Sequence, residues 1–136
     1  MTVTPRPEEL LDCLRIERWA TDLSGHSYST MLELERTAVA AATPLSTAEI
    51  DEALAAHPRI GEDPEGNAAY EQRFGRVFVI RAEGRSPEEI ATEAERRLEN
   101  DDVAELAEVA NQLRGLALLR LRAAYADQFD AASQGS

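Results

Sequence analysis

The chain has 136 residues, enough for one domain with a real core, and a hydrophobic fraction of 43%, ordinary for a globular protein. Its formal net charge is -12, from 26 acidic and 14 basic residues, a surface that repels nucleic acid and anionic lipid and excludes both as expected partners. A single cysteine, Cys13, rules out an internal disulfide, and no Cys/His cluster has zinc spacing, so no metal site is expected.

Ala, Leu, Glu and Arg dominate and aromatics are 5%, which favours helix over sheet. The segment from Met1 to Pro7 has no apolar core of a signal peptide, and no apolar run reaches membrane length. The expectation is a cytoplasmic protein, a single domain over 1–136, with 1–6 and 130–136 frayed.

Pro5 and Pro7 precede a first helix, expected from Pro7 to Leu23, whose apolar positions Leu10, Leu11, Leu14 and Trp19 have helical spacing but no clean stripe. Thr30 with Glu33 forms a capping-box pattern for a second helix, running to about Ala42. Ser46 with Glu49 opens a third, with Ile50, Ala53, Leu54 and His57 at i, i+3, i+4 and i+7. Pro58 ends it.

A helix from Asn67 to Phe74 follows, closed by Gly75. Arg76 to Ala82 is the best strand on propensity, but a lone strand has no partner, so it reads as an extended segment among helices. Ser86-Pro87-Glu88-Glu89 opens a helix to about Glu99, and Asp102 with Glu105 caps the last long helix. Arg120 falls on that helix's apolar stripe, seven residues after Leu113. The fold class is all-α: a single-domain bundle of about six helices with one extended segment packed among them.

His57 is one of two histidines, and histidine alone has an unperturbed pKa near neutrality. On a buried face it is either a satisfied core residue or a proton-transfer group, and spacing leaves both open. Arg120 carries the same ambiguity between a structural ion pair and a clamp on a ligand carboxylate. Together they suit a small anionic substrate that needs a proton moved. Arg15, Arg18, Arg96 and Arg97 read as solvated, His26 as exposed, and Cys13 as a small core residue.

Several ordered stretches resemble one family. They are Arg18-Trp19-Ala20; Ala55-Ala56-His57-Pro58-Arg59-Ile60-Gly61; Asn67-x-x-Tyr70 with Phe74-Gly75-x-x-Phe78; Arg97-Leu98-x-Asn100-Asp101; and Leu119-Arg120-Leu121. Together they resemble the 2-oxo-4-hydroxy-4-carboxy-5-ureidoimidazoline (OHCU) decarboxylases, enzymes of urate breakdown that form (S)-allantoin. The resemblance implies an all-α fold, a homodimer, and a carboxy-lyase that uses no metal or organic cofactor.

It also implies His57 as the catalytic acid/base. Pro58 and the segment Phe78, Val79, Ile80, Arg81 and Ala82 would line the substrate site, partly through backbone groups. Arg120 would meet the substrate from the final helix. One departure stands out. The family carries a further helical stretch after His-Pro with a Ser-x-x-Glu-Gln motif, whose glutamate works with the histidine; here only residues 58–66 separate His57 from Asn67. Either the sequence omits a segment, which the close match of the flanking blocks favours, or the chain is a shortened homologue with Glu62 as a stand-in. The alternative function is therefore a catalytically impaired helical paralogue or interaction module.

Overall fold

The computed structural model describes residues 2–55, 64–76, 78 and 84–134, with the side chains of 64–68 and 130–134 left undescribed. Seven helices form among the described residues: α1 (Pro7–Cys13), α2 (Glu17–Leu23), α3 (Met31–Ala41), α4 (Thr47–Ala55), α5 (Pro64–Phe74), α6 (Pro87–Arg97) and α7 (Asp102–Gln134). They belong to two compact units. The first comprises Met1–Leu45 and Arg114–Ser136, the second Ser46–Leu113. The all-α class expected from composition holds.

In the first unit, the single helix expected over Pro7–Leu23 is broken into α1 and α2. Leu14 (φ -152°, ψ 115°) and Ile16 (φ -129°, ψ 112°) are extended. Burial explains the break. In one continuous helix, Leu10 and Leu14 would point about 180° away from Trp19 and Leu23. The kink turns both sets inward, and Leu10, Leu14, Ile16, Trp19 and Leu23 are all buried. The imperfect stripe in the sequence was the trace of this break.

α1 packs on α2, and α2 on α3. The Trp19 indole N–H donates to the Ala38 carbonyl at 3.0 Å, which satisfies its one polar atom inside the core. Thr30 caps α3 as expected, its hydroxyl accepting from the Glu33 N–H at 3.1 Å. The other end of α3 is capped by two arginines. Arg18 donates to the Ala41 carbonyl and Arg114 to the Ala42 carbonyl, both at 2.8 Å. Cations there satisfy orphan carbonyls and complement the negative end of the helix dipole.

The amino terminus is tied down from Val3, where the sequence suggested fraying. Val3 and Tyr28 exchange two backbone hydrogen bonds of 2.9 Å, and both side chains are buried.

In the second unit, the reciprocal Ser46–Glu49 bonds (3.1 and 3.0 Å) start α4, and Ile50, Ala53 and Leu54 are buried as the stripe required. α5 begins at Pro64, three residues before the expected Asn67, and a first-turn proline suits that start. It ends at Gly75, whose φ of +72° is the left-handed conformation that stops a helix and suits glycine. Ser86 and Glu89 form the expected capping box of α6. α5 and α6 pack together around Tyr70, Phe74, Phe78 and Ala94, flanked by Ile90 and Leu98. Most of the expected extended segment, residues 77 and 79–82, lies outside the described residues.

The cap of α7 differs from expectation by one residue. Asp101, not Asp102, accepts from the Ala104 N–H at 2.7 Å. Glu105 makes no cap; it is buried and turned toward Arg97. The buried line on α7 then advances in steps of four through Leu113, Ala117, Leu121 and Tyr125. Each such step rotates about 40° around an ideal helix, so the line has passed Arg120 by the time it reaches that turn.

Candidate functional site

His57, Pro58, Val79, Ile80, Arg81 and Ala82 lie outside the described residues, as does Glu62. The residues that lead to them are described. α4 ends at Ala55, two residues before His57. The segment that leads to Val79–Ala82 leaves Gly75 through Arg76 and Phe78. These two approaches are tied together: the Arg76 Nε donates to Asp51 Oδ1 of α4 at 2.8 Å, and Arg76 NH1 reaches the Phe74 carbonyl at 3.5 Å. One partly shielded ion pair thus joins the helix preceding His57 to the segment preceding Val79.

Phe78 is 1% exposed. Its ring meets Tyr70 edge to face at a centroid distance of 5.1 Å, and the Arg97 guanidinium lies 4.9 Å from its centroid. Its side chain is therefore core, and its backbone is what it can offer to a ligand.

Arg97, expected on a solvated face, is 0% exposed. It lies at i+7 from Ile90 and i+3 from Ala94, the buried face of α6, a spacing legible in the sequence. Its Nε donates to Glu105 Oε1 at 3.1 Å and Oε2 at 2.9 Å, and its NH2 group donates to Oε2 as well. A buried guanidinium requires such pairing, because desolvation without it costs several kcal/mol per ion.

The same carboxylate collects further bonds. Tyr70 donates its hydroxyl to Glu105 Oε2, and Arg97 NH2 donates to the Tyr70 oxygen at 3.4 Å. Asn100 Nδ2 donates to Glu105 Oε1 at 3.2 Å and to Glu108. Burial, and then the bond to Glu105, push the Tyr70 phenol well above the usual tyrosine range. At the rim, Arg96 bridges Glu93 and Glu108 with half of its side chain exposed. Its bond to Glu93 holds that carboxyl below its ordinary value. The Asn-x-x-Tyr and Arg-Leu-x-Asn stretches thus meet through Tyr70, Arg97 and Asn100 around one buried carboxylate. Both stretches are visible in the sequence; that Glu105 joins them is visible only in the fold.

Arg120 belongs to the first unit. It is exposed, and NH1 donates to the Cys13 carbonyl at 3.3 Å, at the end of α1. The expectation that it sits on the buried stripe does not hold, because the stripe has moved to Leu121. A guanidinium at a helix C-terminus with exposed surface keeps donors available to an anion. Cys13 is buried, and desolvation pushes its thiol up to about 11, against the downward pull of Arg120. Such a thiol is inert at neutral pH. His26 is exposed, as expected. Among the described residues, no group of three or more His, Cys, Asp or Glu is placed to hold a metal ion. Among them too, no helix is long and apolar enough to cross a membrane.

A profile of the OHCU decarboxylase family matches residues 4–66 and 64–122. The two segments meet where the sequence passes directly from the His-Pro block to the Asn-x-x-Tyr block. Among solved structures, the chain is similar to a crystal structure of OHCU decarboxylase in the presence of (S)-allantoin. That match has 25% identity and a TM-score of 0.81, and covers 90% of this chain and 99% of the other. It is also similar in fold to a crystal structure of (S)-allantoin synthase, at 16% identity and a TM-score of 0.69. That match covers 86% of this chain and 48% of the other. A search of curated protein sequences returns no match. The profile covers residues 4–122 of the 136, and the helical fold agrees with it. The chain belongs to the OHCU decarboxylase family.

Proposed function

We propose that this protein decarboxylates OHCU to (S)-allantoin without a metal or organic cofactor. The observation that carries the reading is the fold likeness over 99% of an OHCU decarboxylase solved in the presence of (S)-allantoin. The tie between α4 and the segment after Gly75 supports it, since it joins the two stretches that would carry His57 and the substrate-lining residues.

In this reading the C4–carboxylate bond breaks and carbon dioxide leaves. The electron pair passes into the conjugated ring system, and a proton is then added at one face, giving one enantiomer. His57 handles that proton. Pro58 and the backbone of Phe78, Val79, Ile80, Arg81 and Ala82 hold the ureido-imidazoline ring. Arg120 offsets the substrate's negative charge, which the acidic surface would otherwise repel. A homodimer belongs to the same reading, and light scattering checks it against the 15.0 kDa protomer.

The test uses freshly generated OHCU and follows (S)-allantoin by its circular dichroism. The wild type is expected to exceed the uncatalysed rate and to give one enantiomer. His57→Asn is expected to lose about 100-fold or more in kcat, the usual worth of a positioned acid/base. Full activity in His57→Asn would remove the histidine from the mechanism. A wild type no faster than the uncatalysed reaction would favour the catalytically impaired paralogue, consistent with the lack of a Ser-x-x-Glu-Gln segment.

A further inference from the structure

Arg97, Glu105 and Tyr70 do more than fill the centre of the second unit. A buried ion pair is an inefficient way to stabilise a core, because apolar residues of the same volume do as well or better. What this pair provides is direction. Glu105 fixes the guanidinium through both carboxylate oxygens, so its plane cannot rotate. The guanidinium then lies 4.9 Å from the Phe78 centroid and 5.5 Å from that of Tyr70. Tyr70 is held by its own hydroxyl bond to Glu105 and meets the Phe78 ring at an interplanar angle of 64°. Two groups anchored on one carboxylate thus both contact a single ring. That ring belongs to the first residue of the Phe78–Ala82 segment proposed to line the substrate.

We propose that Arg97 is a positioning residue: held by Glu105 and Tyr70, it sets the place of Phe78 and thereby of the backbone that Phe78 presents to substrate. The inference rests on the proposed decarboxylase reading for its substrate half. It does not rest on it for the placement of the ring.

The experiment has two readouts. The first needs no activity. The chain has three phenylalanines, Phe74, Phe78 and Phe129, so 4-fluorophenylalanine labelling of the whole protein gives three fluorine resonances, with Phe78→Leu assigning one. Arg97→Lys keeps the charge and loses the planar, bidentate fork. It is expected to shift or broaden the Phe78 resonance and leave that of Phe129 in place. An unmoved Phe78 resonance would overturn the placement.

The second readout is kinetic. Arg97→Lys is expected to raise KM for OHCU about tenfold, the scale of one hydrogen bond lost between the Phe78 backbone and substrate, with kcat within about twofold. Inhibition by (S)-allantoin should weaken in parallel. Phe78→Leu should reproduce the effect, and the double variant should not add to it. Leu34→Ala in the first unit serves as a control of comparable destabilisation and should leave KM unchanged. A fall in melting temperature with unchanged KM in Arg97→Lys would reduce Arg97 to a structural residue and overturn the proposal. If Arg97→Lys does not fold, Glu105→Gln, which keeps the shape of the side chain, weakens its hold on the guanidinium and adds no phenylalanine, carries both readouts. If the wild type itself neither turns over OHCU nor binds (S)-allantoin, the decarboxylase reading fails and the substrate half fails with it, while the fluorine spectra still decide the placement.

Discussion

Glu105→Leu should be among the most damaging single substitutions in the chain. It leaves the Arg97 guanidinium, 0% exposed, without the carboxylate that receives its Nε and NH2 donors. Two charges about 4 Å apart at an effective dielectric constant of 20 attract by about 4 kcal/mol. Removing one partner of a buried pair costs roughly 3–5 kcal/mol, because the other stays buried and uncompensated. For a chain of this size that corresponds to a fall of roughly 10–20 °C in melting temperature.

The assay is urea denaturation followed by far-ultraviolet circular dichroism. The series is Glu105→Leu, Arg97→Met and the double variant, each in a Tyr70→Phe background so that the phenol is not left without its acceptor. The double variant should be more stable than either single variant. Two results would refute the reasoning. One is a cost below about 1 kcal/mol for Glu105→Leu, as for an exposed pair. The other is a double variant that loses the full sum of the two singles.

Three further outcomes are expected. Ser86→Ala removes the hydroxyl that accepts the Glu89 N–H at 3.1 Å and should cost about 1 kcal/mol in the same denaturation assay. Gly75→Ala forces a Cβ onto a φ of +72° and should cost about 1–2 kcal/mol, although the site has room for the added atom. Cys13 gives a pH signature. Its thiol holds its proton more tightly folded than unfolded, so its contribution to stability is complete below pH 9 and is lost as pH rises from 9 to about 11. Cys13→Ala should flatten that part of a stability-versus-pH curve, and the wild-type thiol should resist alkylation at pH 8 unless the protein is unfolded.

The candidate site was legible in part. The His-Pro, Asn-x-x-Tyr and Arg-Leu-x-Asn stretches are visible as strings. Tyr70, Arg97 and Asn100 acquire a common purpose only when they surround Glu105, which lies 35 residues beyond Tyr70. Glu105 had a sufficient local explanation as a capping residue, so nothing in the string directed attention to it. Arg120 misled for a related reason. An i+7 step and repeated i+4 steps diverge along a long helix, and only the observed burial decides which one the core follows.

By itself, the sequence determined the features governed by neighbours a few residues apart. The all-α class follows from composition. The starts of α3, α4 and α6 follow from Thr30, Ser46 and Ser86, each with a glutamate three residues on. The end of α5 follows from Gly75. Backbone donors at helix ends must be satisfied locally, so local sequence suffices to place them. Tertiary structure decided the rest: the break between α1 and α2, the pairing of Arg97 with Glu105, and the tie from Arg76 to Asp51. Each depends on which surfaces leave water together, and that choice belongs to the packed chain as a whole.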